Sequence, residues 1–334
     1  MRLRDLVLAV LVAAVWGVNF VAIKIGLDDL PPLLFNALRF ALAAIPAVFI
    51  VGRPVVAWRW VIAIGLGLAV IKFSLLFAGM AAGMPAGLSS LVLQTQAIFT
   101  VIFAAVLLRE RPVRLQVAGL VVAAVGLGLV AWRLGPDRPP LAFALVVAAA
   151  AAWGLTNVGI RRAAPGDMLN FIVWVSAVST PVLIGLTLVV DGPAADLAAI
   201  RSMSWRSVAA LLFIVGLSTL WGWAAWGALI RRHGATTIAP FSMLVPFFGI
   251  ASAALILGEP VHATDVIGGV LVVGGVLAGA LAAPSRGPAP SGGVRKDAFL
   301  GKNRQEGVLP DTTRHTALDT APGAAPPGTA PSSP

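Results

Sequence analysis

The chain of 334 residues is 59% hydrophobic and only 11% charged, and its 35 glycines take the apolar share to about 69%, against roughly 45–50% in soluble globular proteins. With a mean hydropathy of +0.94, this composition excludes soluble enzymes, nucleic-acid binders and secreted disulfide scaffolds. The net charge of +10 does not point to nucleic acid, because the basic residues fall in ones and twos between apolar stretches, as membrane orientation signals do.

A membrane helix needs about 20 mostly apolar residues. Ten such stretches are predicted in chain order: 6–26, 32–51, 60–79, 85–108, 113–132, 140–160, 169–190, 207–230, 236–257 and 264–282. Charge, Pro or Gly marks the breaks, as at Asp28-Asp29, Gly52-Arg53-Pro54 and Arg109-Glu110-Arg111-Pro112. The first stretch follows Arg2 and Arg4 as a signal peptide would. It runs too long for one, and no small-residue cleavage site precedes a soluble domain, so it is kept as a helix. Residues 284–334 hold nine prolines and ten charged residues and are expected to form a disordered cytoplasmic tail.

The two halves match each other. Trp16-Gly17 with Val21, Ile23 and Lys24 aligns with Trp153-Gly154, Val158, Ile160 and Arg161 at an offset of 137. Glu110, Gly119 and Gly126 align with Glu259, Gly268 and Gly275 at an offset of 149. A longer loop from Asp191 to Arg206 accommodates the difference. Five spans per half make the second repeat inverted relative to the first, an architecture of transporters. The expected fold is therefore an all-α integral membrane protein of ten helices, with repeats at 1–135 and 136–283. With the N-terminus inside, eleven basic residues face the cytoplasm before the tail is counted, from Arg2 and Arg4 to Arg231 and Arg232. Five face outward: Lys24, Arg133, Arg138, Arg201 and Arg206. The positive-inside rule places both termini in the cytoplasm.

Several blocks carry a family likeness. Trp16-Gly-Val-Asn-Phe-Val-Ala-Ile-Lys, Pro31-Pro-Leu-Leu-Phe-Asn-Ala-Leu-Arg-Phe, Met84-Pro-Ala-Gly-Leu-Ser-Ser-Leu-Val-Leu-Gln and Leu244-Val-Pro-Phe-Phe-Gly-Ile-Ala-Ser-Ala-Ala-Leu resemble the EamA family of the drug/metabolite transporter superfamily, over about residues 1–282. Within it the likeness is to bacterial exporters of O-acetylserine and cysteine. The resemblance implies ten helices in two inverted repeats, a plasma-membrane location and export of small metabolites. Members often carry Gly-Glu after the fourth helix. Here Arg109-Glu110 stands there, while Gly258-Glu259 keeps the form in the second half.

Two charged residues fall deep in predicted spans, Arg39 and Lys72. Each costs about 2.5–3.5 kcal/mol at a helix centre on insertion scales, which one apolar helix can absorb. Each therefore has two readings: a cavity-facing cation that holds a substrate carboxylate, or a cation that snorkels or bonds neighbouring carbonyls. No Asp or Glu lies deep in a span, which argues against a mid-membrane carboxylate relay and against lipophilic cations as cargo. If protons drive export, Lys72 is a candidate carrier.

Helical spacing groups the neutral polar residues. Trp16 and Asn19 share a face of the first span, Trp153 and Asn157 the matching face of the sixth, Gln94 and Gln96 lie on neighbouring stripes of the fourth, and Trp223 and Trp226 align with Thr219 in the eighth. Amides walled by indoles suit a small zwitterion; the alternative is interhelical hydrogen bonding and packing. Gly79, Gly83 and Gly87 read as close-packing positions. Pro46, Pro181, Pro240 and Pro246 mark broken segments or kinks. With no cysteine, and His233, His262 and His315 dispersed, neither a metal nor a cofactor is expected.

The sequence thus favours a secondary exporter, working by alternating access in a lipid bilayer, of small amino-acid-like metabolites such as cysteine or O-acetylserine. Another cargo class (nucleosides, aromatic compounds) and a passive channel stand as alternatives. A membrane-embedded enzyme would need a base, nucleophile or metal that the spans lack.

Overall fold

A computed structural model describes residues 1–134 and 140–282, so the expectations for the tail and for the junction between the halves lie outside the described residues. Helices account for the regular structure throughout: α1 (Leu3–Gly26), α2 (Pro32–Val48), α3 (Trp58–Ala81), α4 (Ala86–Leu108), α5 (Arg114–Leu134), α6 (Pro140–Ala163), α7 (Met168–Val190), α8 (Pro193–Ser202), α9 (Trp205–His233), α10 (Ala239–Leu257) and α11 (Ala263–Ala282). Eight of them are long and apolar enough to cross a membrane, whereas α2 and α11 carry shorter apolar stretches, Pro32–Ala44 and Ala263–Gly279. The second span ends at Val48, three residues before its predicted end, because Pro46 withholds a donor from the last turn. The segment from Asp191 to Arg206, expected as a loop, contains α8. Gly192 at φ 86° turns the chain, Pro193 opens the helix and Asp196 faces its positive end.

Contacts at the helix ends sort into two faces. One carries Asp5, bonded to Arg232 at 3.2 Å and His233 at 3.0 Å, together with Glu110 against Arg161 at 3.0 Å. The other carries Asp29, which accepts from the Ser204 amide at 2.8 Å and the Ser207 hydroxyl at 2.7 Å, and Glu259, which accepts from the Ala86 and Gly87 amides at 2.7 and 3.0 Å. Apolar helices that start on one face end on the other, so the basic loops gather on the Asp5 face.

Glycine permits the closest helix contacts. A Cβ on Gly17 would lie 2.5 Å from Phe248 Cβ and 2.8 Å from the Gly249 nitrogen, locking α1 onto α10. Gly154 on α6 meets α4 in the same way, 2.6 Å from Phe99 Cβ and 2.8 Å from the Thr100 nitrogen. Gly17 and Gly154 are 137 residues apart, and Phe99 and Phe248 are 149 apart, the two offsets between the halves. Helices α5 and α11 cross where Gly119 meets Gly275 and Gly126 meets Gly268, two contacts that the 149-residue offset exchanges. Gly83, read as a packing position, is instead a turn residue at φ +107° with open space around it.

Helices α3 and α9 each contain a π-helical stretch, Gly65–Lys72 and Ile214–Trp221, and these coincide at the same 149-residue offset. Wide π turns leave carbonyls for side chains to satisfy. The Ala69 carbonyl takes the Asn36 amide at 2.9 Å, and the Ser218 carbonyl, its equivalent, takes the Trp16 indole N–H at 3.0 Å. Hydrophobic periodicity does not distinguish such stretches from α-helix, which is why the sequence reads both spans as continuous.

Candidate functional site

Between these two π stretches lies a cavity of about 520 Å³. Its walls come from α1, α2, α3, α4, α6, α9 and α10, with Met168 at the start of α7. All ten residues singled out in the sequence line it: Arg39 and Lys72, Trp16 and Asn19, Gln94 and Gln96, Trp153 and Asn157, and Trp223 and Trp226. It extends from buried Arg39 to Arg161, Gly166 and Arg231 at the helix ends of the Asp5 face. No Asp or Glu is among its described lining residues.

The two deep cations meet at one ring. The Arg39 guanidinium lies 3.8 Å from the centroid of Phe73, and the Lys72 ammonium lies 3.3 Å from it. Aromatic faces substitute for water around a buried cation. Lys72 also sits 4.3 Å from the Trp153 ring, and no hydrogen bond or ion pair to its ammonium occurs among the described residues. Arg39 spends one guanidinium nitrogen on the Thr219 hydroxyl at 3.2 Å, tying α2 to the π stretch of α9. Its Nε and Nη1 are buried without partners. Those N–H groups and the Lys72 ammonium are unspent donors, and an unpaired buried polar group is costly.

The neutral polar residues are partly engaged with one another. Asn157 donates to Gln96 Oε1 and, at 3.3 Å, to the Thr100 hydroxyl, so α4 and α6 are pinned together along the wall. Gln94 donates to the Ser242 carbonyl at 2.8 Å in the 3-10 stretch that opens α10. Asn19 keeps an unpaired buried Oδ1 and Trp153 an unpaired indole N–H. Trp16 packs against Trp223 and Trp226, with centroids 5.6 and 5.1 Å away, making an indole cluster on the cavity wall.

Sequence reasoning missed Phe73, whose ring organises both cations but looks like any core phenylalanine in an apolar span. It also missed Asp5, which charge counting passed over beside Arg2 and Arg4. Among the described residues, no group of three or more His, Asp or Glu is placed to hold a metal.

The EamA-like transporter family model matches residues 4–132 and again 140–278, one copy in each half. The chain belongs to the EamA-like transporter family. Two relatives named probable amino-acid metabolite efflux pump resemble this EamA protein over 282 residues, 83% of its length and 94% of theirs. That of Escherichia coli (strain K12) is 36% identical and that of Salmonella typhimurium (strain LT2) 37%. A probable terminal-alkyne amino-acid exporter of Streptantibioticus cattleyicolor is 26% identical over 277 residues, 80% of this chain and 90% of its own. A crystal structure at 19% identity superposes with a TM-score of 0.57 over 84% of this chain and 98% of that one, a likeness of fold alone.

Proposed function

We propose that this EamA protein is a secondary exporter of small amino-acid-like metabolites, of the cysteine or O-acetylserine type, in the bacterial plasma membrane. The observation that carries the reading is the pair Arg39 and Lys72: two cations buried in one cavity, with unspent donors and no carboxylate among the described lining residues. A substrate carboxylate would satisfy them, the indoles of Trp16, Trp153, Trp223 and Trp226 would wall the ligand, and Asn19, Gln94, Gln96 and Asn157 would orient it. The names of the two efflux-pump relatives point to the same cargo class.

In this reading ten helices form two inverted repeats, 1–135 and 136–283, that rock about the cavity in alternating access. The exchanged glycine contacts and the matched π stretches support it. Both termini are cytoplasmic under the positive-inside rule, so the cavity mouth at Arg161 and Arg231 faces the cytoplasm and loads cargo there. Asp29 and Glu259 close the opposite face through their bonds to Ser204, Ser207, Ala86 and Gly87. Protons are the candidate coupling ion.

Counterflow in proteoliposomes tests the reading with labelled cysteine, O-acetylserine, an aromatic amino acid, a lipophilic cation and a nucleoside. Exchange confined to the amino-acid compounds is expected. Exchange of the cation or nucleoside instead would overturn the cargo assignment, and absence of acceleration by trans substrate would favour a channel.

A further inference from the structure

Resting on the amino-acid reading of the cavity, we infer that its preferred cargo is a net-anionic amino-acid derivative, an N-acylated amino acid, rather than a zwitterion. Four cations line the cavity: Arg39 and Lys72 at depth, Arg161 and Arg231 at the mouth. Among the described residues, Arg161 is the one of these four paired to a carboxylate, that of Glu110. Arg39 and Lys72 lie within about 7 Å of each other through their shared Phe73 ring, and no described lining residue offsets their charge.

Apart from these cations, the hydrogen-bonding groups of the described lining residues are neutral. Arg39 Nε and Nη1 and the Trp153 indole N–H are unspent donors, and Asn19 Oδ1 is a buried acceptor without a partner. Gln94 and Asn157 use their amide nitrogens on Ser242 and on Gln96 and Thr100, which leaves their oxygens as further neutral acceptors. An α-ammonium carries three N–H donors and would bring another positive charge into a low-dielectric space already holding two. Neutral amide oxygens accept from it but leave its charge unbalanced. An N-acyl amide instead brings a neutral N–H for Asn19 Oδ1 and a carbonyl acceptor for an unspent donor, and leaves the carboxylate to the cations. The basic mouth also draws anions inward.

O-acetylserine and N-acetylserine isolate the variable, because the isomers share every atom and differ in whether the acetyl group leaves the ammonium in place. Counterflow with each labelled isomer, in mildly acidic buffer where the acetyl group does not migrate, should give a half-saturation about tenfold lower for N-acetylserine, a difference of about 1.4 kcal/mol. The same order should appear in thermal stabilisation of the detergent-purified full chain. Equal handling of both isomers, or preference for O-acetylserine, overturns the inference and leaves the amino-acid exporter standing. Exchange of neither isomer overturns both. Asn19→Asp, nearly isosteric, adds an anion to the wall and should shift the preference toward O-acetylserine; Gln96→Glu provides an independent second placement. An unchanged preference in both folded variants would also overturn the inference.

Discussion

Arg39 and Lys72 approach the same aromatic ring, that of Phe73, at 3.8 and 3.3 Å from its centroid, yet their remaining partners differ. Arg39 bonds Thr219 across to α9 and packs on Phe40, whereas among the described residues the Lys72 ammonium meets only aromatic faces. Like charges this close persist because the ring quadrupole attracts both. The asymmetry separates a structural contribution from a functional one.

Lys72→Met should therefore abolish transport while the protein still inserts and remains monodisperse. A charge-assisted contact of up to roughly 3 kcal/mol corresponds to about a hundredfold in uptake. Arg39→Met should lower folded yield as well as transport, because it cuts the α2–α9 tie. Size-exclusion profiles and counterflow on the same preparations check both. Wild-type transport by Lys72→Met would return that lysine to a packing role.

Phe73→Leu keeps apolar bulk and removes the ring. Each cation–π contact is worth about 0.5–2 kcal/mol, so the variant should lose about tenfold in transport and melt at a lower temperature in detergent. Phe77→Leu, one turn on along the same helix, removes a ring that packs edge-on against Phe73 at 6.0 Å and on Phe35 at 5.3 Å but holds neither cation. It should affect melting and leave transport nearer wild type.

The membrane class and the candidate cavity residues were legible in the sequence because lipid imposes simple rules. A charge or amide inside an apolar span stands out, and helical spacing says which polar groups share a face. Trp16 with Asn19 and Trp153 with Asn157 could be paired on that basis. What joins those faces was not legible. The Phe73 ring has no compositional signature, and the π stretches at Gly65–Lys72 and Ile214–Trp221 leave the hydrophobic pattern unchanged. Helix α8 was read as loop because its few apolar residues cannot span a bilayer. Gly83 matched a four-residue spacing by coincidence, and its positive φ is a property of the turn.

The helix contacts at Gly17 and Gly154 should be intolerant of any side chain. A Cβ at either would lie within 3 Å of the partner backbone, far inside van der Waals contact. Gly17→Ala and Gly154→Ala should each destabilise the fold, with overpacking of this kind costing about 1–3 kcal/mol. Gly128→Ala is the control: that glycine lies in α5 with open space around it, so the substitution should gain up to about 1 kcal/mol of helix propensity. Thermal melts of the three variants report the difference, and a destabilised Gly128→Ala would point to crowding at α5.

Asp29 links stability to pH. Hydrogen bonding from the Ser204 side chain, then the Ser207 side chain and the Ser204 backbone amide, holds its carboxyl below the usual carboxylate range, against a smaller opposing effect of burial. A folded-state value below the unfolded one makes the contribution complete above about pH 4 and progressively lost as acid protonates the folded form. Wild-type melting temperature should therefore fall in strong acid. Asp29→Asn should melt lower at neutral pH and show a shallower acid limb. Parallel acid limbs would show that other carboxylates dominate.

Arg109 ends α4 in the left-handed region at φ 53°, and Gly258 ends α10 in the same way at φ 69°. The two positions are 149 residues apart, so both halves use the same turn, but only the second fills it with the residue that adopts it freely. For an L-residue the left-handed conformation costs about 1–2 kcal/mol, which glycine avoids. Arg109→Gly should accordingly raise stability by about 1 kcal/mol, offset in part by the larger conformational freedom of glycine in the unfolded chain. Gly258→Arg should lower it by a similar amount. A rise of a few degrees in melting temperature for the first and a fall for the second are expected. A fall in both would mean that the Arg109 side chain contributes more at this turn than its backbone costs.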